Sequence, residues 1–508
     1  MKKAIISLVL AAVMLFTMTA AVAETAPEYP DIEIWSNNNG YLAVEIGGPS
    51  YTYFKELTGV GMYQPYVEWN GGTTYQEQLN LRIAANEMPD LFIPVNGMET
   101  ELIKAGAILD LTDLLPEKAP HLYEAIPEAV WDIVRANDPT GEGRIYYVPS
   151  VLTFARSGGI IRQDWLDNLN MSMPTTQEEF VEVLRAFKTK DPNGNGEADE
   201  IPTGGRAEAR WMDYLFSMYG VASWEGYPQW DLYDGELTYS AVTPNMKAAL
   251  EWIASLYAEG LLDPETLLND KAAWDGKINS GRVGVYHHWA QASYEYAENI
   301  EASTGVKAKL VLMPPISAEG FEGFYTALQI GSPQWVAAYT TDEKKIDAVM
   351  RALDCYGNSE MRQQFVLGVP GMHCEYDENG VGHRLPLDMQ HMENYIFHPD
   401  ETLATVESTK EALMLIRSED TAWAVDQSIE NLENMAGYGK AIAGDGIPNS
   451  IYTDYQDIQN RTLYAQYASK IITGEYPIEK FDEFVEKWYA SGGQTVTERA
   501  REWYAKMK

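Results

Sequence analysis

Residues 191–202 read Asp-Pro-Asn-Gly-Asn-Gly-Glu-Ala-Asp-Glu-Ile-Pro. Oxygen-bearing side chains recur at Asp191, Asn193, Asn195 and Asp199. A tightly turned loop brings alternate residues to one point, where a hard cation such as Ca2+ takes about six to eight oxygens. Gly196 holds the sharp-turn position of an EF-hand-like loop, and Glu197 the position that offers a backbone carbonyl. The closing position is Pro202, which cannot ligate, so Glu200 is the expected closing carboxylate. A solvated Asn-Gly turn is the plain alternative. The regular spacing and the helix expected before the loop favour calcium.

Other chemistry is sparse. There is no Gly-x-Ser-x-Gly, no His-Glu-x-x-His and no phosphate-binding glycine loop. His287 and His288 are adjacent on an expected strand and so face opposite ways, which argues against a two-histidine metal site. Cys355 and Cys374 lack metal-ligand spacing; a disulfide and two buried thiols both fit. With 75 acidic residues some carboxylates must be neighbours, so a secreted polysaccharide hydrolase or lyase stands as a rival reading. The net charge of −38 argues against nucleic acid and anionic lipid as partners.

The elements that must position the loop are legible around it. Ile160 and Ile161 predict a short buried strand, and Trp165, Leu166 and Leu169 a helix after it. Thr176 and Glu179 have capping-box spacing. Phe180, Val183, Leu184 and Phe187 follow at one helical face, and Lys188 and Lys190 suit the helix C-terminus. Arg162 and Asp164 are expected to form a structural ion pair.

In that order, strand, Arg162-Gln-Asp-Trp-Leu166, Pro174-Thr-Thr176 and the 191–202 loop, the segment resembles the extracellular solute-binding proteins (family 1) of bacterial carbohydrate ABC importers. It is most similar to the calcium-loop subgroup of alginate-oligosaccharide binders and Gram-positive sugar-binding lipoproteins. Met88-Pro-Asp-Leu-Phe92, Gly260-Leu-Leu-Asp-Pro264 and Phe481-Asp-Glu-Phe-Val485 also resemble this family. The resemblance implies a two-lobed α/β fold of the type II periplasmic-binding kind, with a hinge of chain crossovers and a helical C-terminal segment. It implies an oligosaccharide ligand, a membrane permease partner, a structural Ca2+, a monomer and no catalysis. A peptide- or signal-binding protein on the same scaffold is a further alternative.

The rest of the chain fits two lobes, since 508 residues exceed one usual domain. Residues 1–23 read as a signal peptide, with Lys2 and Lys3, an apolar run and Ala21-Val-Ala23 before the cleavage point. No cysteine follows it, so a lipid anchor is not expected and the protein is expected outside the cytoplasm. The N-terminal lobe is expected over 24–150 with about 330–400, and the C-terminal lobe over 151–329 with about 401–508. Strands are expected at Asp31–Trp35, Tyr66–Trp69, Pro89–Pro94, Gly143–Pro149 and Arg282–Tyr286, and one helix over Leu122–Val134. Ligands in α/β sheets gather beyond the carboxyl ends of strands, which places Trp35, Asn37, Asn38 and Tyr41 near a cleft, with core packing the alternative for Trp35. The resemblance puts Arg206 and Trp211 along the cleft, though Trp211 also has core spacing, and Trp289 where relatives stack a sugar. Trp335 and Trp423 are further aromatic candidates.

Overall fold

The computed structural model describes residues 29–36, 42–68, 73–95, 97–378, 380–385, 393 and 402–508. Two sheets, each with its own apolar core, make two lobes. The first sheet runs Leu403–Ala404, Val148–Leu152, Ile330–Ala337, Leu91–Phe92, Ile32–Trp35, Met62–Tyr63. Ile32–Trp35 pairs parallel with both its neighbours, and Ile330–Ala337 runs antiparallel. The second sheet runs Leu310–Leu312, Ser157–Arg162, Val283–Trp289, Ile201–Thr203. All six residues of Ser157–Arg162 are buried, as expected for a central strand covered on both faces.

The second lobe is organised as its local sequence dictates. Thr176 accepts the Glu179 N–H at 3.2 Å, and the Glu179 carboxylate accepts the Thr176 N–H at 3.3 Å, closing the capping box of the helix Gln177–Thr189. Phe180, Val183, Leu184 and Phe187 are buried against the sheet, and Trp165 meets Phe187 edge-on at 5.1 Å. Each such side chain is worth roughly 1.5–3 kcal/mol of apolar burial. Arg162 forms the expected pair, with both Nε and Nη2 on the Asp164 carboxylate at 2.8 and 2.6 Å. Thr243 caps the helix Pro244–Glu259, which Gly260 ends at φ 71°.

Several expectations needed correction. Tyr66–Glu68 is not strand; the strand is Met62–Tyr63, and Pro65, which has no N–H for a ladder, stands just after it. The helix expected over Leu122–Val134 is two, Pro120–Ala125 and Glu128–Ala136, broken at Pro127. The first crossover strand is Val148–Leu152, displaced toward the C-terminus of the expected one. Cys355 and Cys374 are both unbonded and buried, and burial pushes their thiols up to about 12 and about 11.

The lobes join where several chain passages lie side by side. Leu152 donates its N–H to Gln329 O at 3.0 Å, and Thr153 donates to Ala404 O at 3.0 Å. The Asp445 carboxylate accepts the N–H groups of Gln329 and Ile330 at 2.6 and 3.3 Å. The C-terminal helix Gln494–Met507 reaches back to the first lobe, where Trp503 Nε1 donates to Asn137 Oδ1 at 2.8 Å. Among the described residues no helix is long and apolar enough to cross a membrane.

Burial pushes the Asp445 carboxyl up to about 6, against the N–H donors that favour its charged form. A carboxyl whose pKa is higher folded than unfolded takes up its proton first in the folded state, so its contribution to stability is full at low pH and is lost as pH rises through about 6. Asp445→Asn removes this dependence. The variant's melting temperature minus that of the wild type is expected to rise between pH 5 and pH 7, and a pH-independent difference would refute the assignment.

Candidate functional site

A cavity of about 230 Å³ opens where the lobes meet. Its walls include Phe154 and Arg156 from the first crossover, Trp289 and Tyr294 from the second lobe, and Val366 and Arg384 from the other side. Trp289 reaches it because Val283–Trp289 is a buried strand whose last residue is the first one partly exposed. Its indole Nε1–H donates to Glu225 Oε1 at 2.9 Å, and the Arg156 guanidinium lies 3.5 Å from its ring centroid.

Glu225 is held by a hairpin too tight for most side chains. Ser223–Trp224 pairs with Tyr227–Pro228, leaving Glu225 and Gly226 as the two-residue turn at φ 52° and 85°. That is the left-handed geometry of a type I′ turn, which glycine accepts and glutamate resists. Asp213 Oδ1 accepts the Gly226 N–H at 2.8 Å and fixes the turn. Nearby, Glu208, Ala209 and Trp211 also have positive φ (63°, 59° and 57°). Strained backbone clusters at functional sites, and here it borders the cavity's aromatic wall. Burial pushes the Glu225 carboxyl above the usual range, opposed by the Trp289 hydrogen bond and by Arg156.

Behind Trp289 lies an aromatic layer. Trp211 stands 6.3 Å from Trp289, stacks on His288 at 5.1 Å and meets Trp274 at 5.7 Å. Arg206 lies over the Trp211 and Trp274 rings. His287 and His288 both face buried surroundings, on opposite sides of their strand. Burial lowers both imidazoles, His288 to about 3, so both are neutral near pH 7. His287 has neither ring nitrogen hydrogen-bonded and lies 3.5 Å from Asp213 Oδ2.

The structure sorts the expected contacts. Trp289 lines the cavity, with Arg206 and Trp211 one ring behind it. Trp335 is a correction. It is 0% exposed in the core of the first lobe, stacked on Tyr356 at 5.5 Å with its N–H on Thr402, leaving no face for a ligand. Trp35 also sits in that core at 4% exposure, its N–H on Glu33, because a parallel strand covered on both faces buries even its last residue. Trp423 is partly buried on the helix Ala422–Tyr438, with the Lys307 ammonium 4.9 Å from its ring, and is not part of the cavity wall. Asn37, Asn38 and Tyr41 lie outside the described residues. Arg156, Glu225 and Arg384 were missed. Glu225-Gly226 between aromatic residues is a weak turn signature, and nothing in the local pattern marks the two arginines.

The 191–202 loop closes on itself through its oxygens. Asp191 Oδ1 and Oδ2 accept the N–H groups of Asn195 and Gly196 at 3.1 and 3.0 Å. Asn193 Oδ1 accepts from Asn195 N at 2.9 Å, and Asn195 Oδ1 from Glu197 N at 2.7 Å. The Asn193 and Asn195 amides both donate toward Asp199 Oδ1. Glu200 Oε1 is buried with no hydrogen-bond partner, and burial followed by the Asp191 and Asp199 charges pushes its pKa up. Among the described residues no group of three or more His, Cys, Asp or Glu side chains is arranged to hold a metal ion. Any cation here would depend on amide and carbonyl oxygens as well.

Residues 66–361 match the model of the family described as bacterial extracellular solute-binding protein. The chain belongs to that family. Its members bind solutes and are not catalysts. The chain is 26% identical to lipoprotein LipO of Bacillus subtilis (strain 168) over 472 residues, covering 91% of this chain and 89% of LipO. It is 29% identical over 241 residues, 44% of each chain, to the fructooligosaccharide ABC transporter substrate-binding protein FusA of Streptococcus pneumoniae serotype 4. Its fold matches a FusA EF-hand mutant in complex with fructo-nystose (TM-score 0.67, 18% identity, 94% of this chain and 99% of that one). It also matches the alginate-binding protein AlgQ2 without calcium ion (TM-score 0.67, 19% identity, 94% and 99%). The EF-hand and calcium belong to those proteins; at such identities the structural likeness establishes the fold.

Trp335→Ala tests the sorting. It should destabilise the protein by about 3–5 kcal/mol, as large-to-small core truncations do, read by denaturant unfolding. A loss below about 1 kcal/mol would put Trp335 back at a surface.

Proposed function

We propose that this protein captures an oligosaccharide between its two lobes and delivers it to the permease of an ABC importer. The observation that carries this reading is Trp289, a partly exposed indole on the wall of the cavity between the lobes, oriented by Glu225. An aromatic face suits the C–H face of a sugar, and polar groups around it take the hydroxyls. A sugar that touches both lobes best when they close shifts the population toward the closed form, which the permease then reads. The lobes divide near 24–150 with about 330–400, and 151–329 with about 401–508. The mature protein begins at Glu24, after the signal peptide is removed, and acts outside the cytoplasm. The sugar leaves unaltered.

The 191–202 loop is proposed to hold a structural Ca2+. Asp191, Asn193, Asn195 and Asp199 would supply side-chain oxygens, Glu197 a carbonyl and Glu200 the closing carboxylate. The buried, unpartnered Glu200 Oε1 beside two further carboxylates supports it, because a cation would relieve both its desolvation and the repulsion. The ion would pin the second lobe and take no part in ligand contact.

Two measurements decide these readings. Trp289→Ala should weaken binding of the preferred sugar by about 2 kcal/mol or more, the scale of an aromatic anchor, measured on the folded protein, with a separate fall in melting temperature because Glu225 loses its indole donor. Normal binding by the folded variant would remove Trp289 from the site. Chelation should lower the melting temperature, added Ca2+ should restore it, and Asp191→Ala should abolish the response. A wild type indifferent to prolonged chelation, with no metal by mass analysis, would reduce the loop to a turn.

A further inference from the structure

Buried carboxylates in this protein are met by donors. Asp263 accepts from the Lys277 ammonium and the Asn269 amide at 2.7 and 2.8 Å, and Asp138 accepts the N–H groups of Thr140, Glu142 and Arg144. Among the described residues two buried carboxylate oxygens have no hydrogen-bond partner, Glu200 Oε1 and Asp213 Oδ2. Glu200 belongs to the 191–202 loop. Asp213 lies inside the second lobe at 4% exposure. Its Oδ1 accepts the Gly226 N–H at 2.8 Å, while Oδ2 stands 3.5 Å from His287 Nε2 without a hydrogen bond. No lysine or arginine nitrogen of the described residues comes within 4.0 Å of this carboxylate.

His287 does not supply the missing charge. Burial lowers its imidazole pKa, against the pull of the Asp213 charge, so the ring is neutral near pH 7. The two residues border a second, small cavity of about 10 Å³, walled also by Ser157, Ser217, Ser223 and Thr326. A single water-sized particle needs about that volume. The wall is rich in hydroxyl oxygens, and their hydrogens are partly spent elsewhere. Ser217 donates to Tyr214 O at 2.9 Å, so toward the cavity it offers lone pairs and no donor for Asp213. Thr326 Oγ1 accepts the Ser223 N–H at 3.1 Å.

A buried charge is stable when it is paired or when it coordinates a metal ion. A water would fill this volume and leave the charge of Asp213 unmet. A hard cation takes oxygen ligands and meets the charge as well. One carboxylate balances one positive charge, and among the described residues no third acidic, histidine or cysteine group gathers here to balance a divalent ion. The volume suits sodium better than the larger potassium. We propose that this cavity is a sodium site, with Asp213 Oδ2 as its anionic ligand and the hydroxyl oxygens of Ser157, Ser217 and Ser223 around it. The ion neutralises Asp213, whose other oxygen fixes the Glu225-Gly226 turn and through it the Trp289 indole.

Thermal unfolding in sodium chloride and in choline chloride at equal ionic strength tests this, because equal ionic strength holds the screening of the −38 charge constant. The melting temperature should rise by about 2 °C or more when sodium replaces choline, and should climb with the logarithm of sodium concentration. Asp213→Asn keeps an oxygen for the Gly226 N–H and removes the charge, so it should lose the sodium response. Ser217→Ala, which leaves Asp213 in place, should weaken it. Asp191→Ala should retain it in full, which separates this site from the 191–202 loop. Equal melting temperatures of the wild type in the two salts would overturn the proposal without any variant having to fold. A sodium response that survives Asp213→Asn, or that Asp191→Ala removes, would overturn it too. No sugar enters the measurement, so the oligosaccharide reading stands or falls separately.

Discussion

The structure depends on a backbone constraint where the lobes meet. The segments around Leu152, Gln329 and Ala404 run side by side and are tied by main-chain hydrogen bonds, with one carboxylate, Asp445, accepting from two successive N–H groups. Their N–H and C=O groups satisfy one another, so the passages form one tied unit between the two cores. The cavity forms next to them. Phe154 and Arg156 leave the crossover directly into its wall, so the residues that join the lobes also begin the site.

Much of the second lobe was legible from sequence because its local and tertiary preferences agree. The capping box at Thr176 and the apolar face from Phe180 to Phe187 are each specified within a dozen residues. The first lobe was less so. Its strands are as short as two residues, as in Leu91–Phe92 and Met62–Tyr63, too short for alternation to show. Pro65 and Pro127 set boundaries that apolar content alone would have carried past them. Trp335 reads as a cleft candidate because tryptophan at the end of an apolar stretch fits both core and site; only the packing of the following helix, which sets Tyr356 against its ring, separates them.

Of the cavity wall, the aromatic residue Trp289 was legible in the sequence and the charged residues were not. Trp289 is the last residue of the strand Val283–Trp289, three residues beyond the expected end at Tyr286, and strand ends are where ligands gather in α/β sheets. Arg156, Glu225 and Arg384 converge from a crossover, a hairpin and a separate β-pair, across about 230 residues of chain, as the residue numbers themselves give it. No local pattern encodes such a meeting. What sequence does carry is the turn: a glutamate before glycine between two aromatic residues. Its significance appears only once the glutamate is seen at φ 52°.

That strained turn explains how the site stays ordered. A glutamate in left-handed backbone costs on the order of 1 kcal/mol or more, and persists where surrounding contacts over-determine it. Here Asp213 holds the Gly226 N–H, Trp289 donates to the carboxylate, and Arg156 lies against the ring that donates. The carboxylate is therefore a fixed acceptor for the indole, and the indole cannot rotate without taking the hydrogen bond from a half-buried acid. Removing a partner from such an acid costs its full desolvation, more than the hydrogen bond is worth in water. The ring is thus held in one place on the cavity wall. In the role proposed for it, such a ring would lose little side-chain entropy on binding, which is the condition under which one aromatic contact contributes most to affinity.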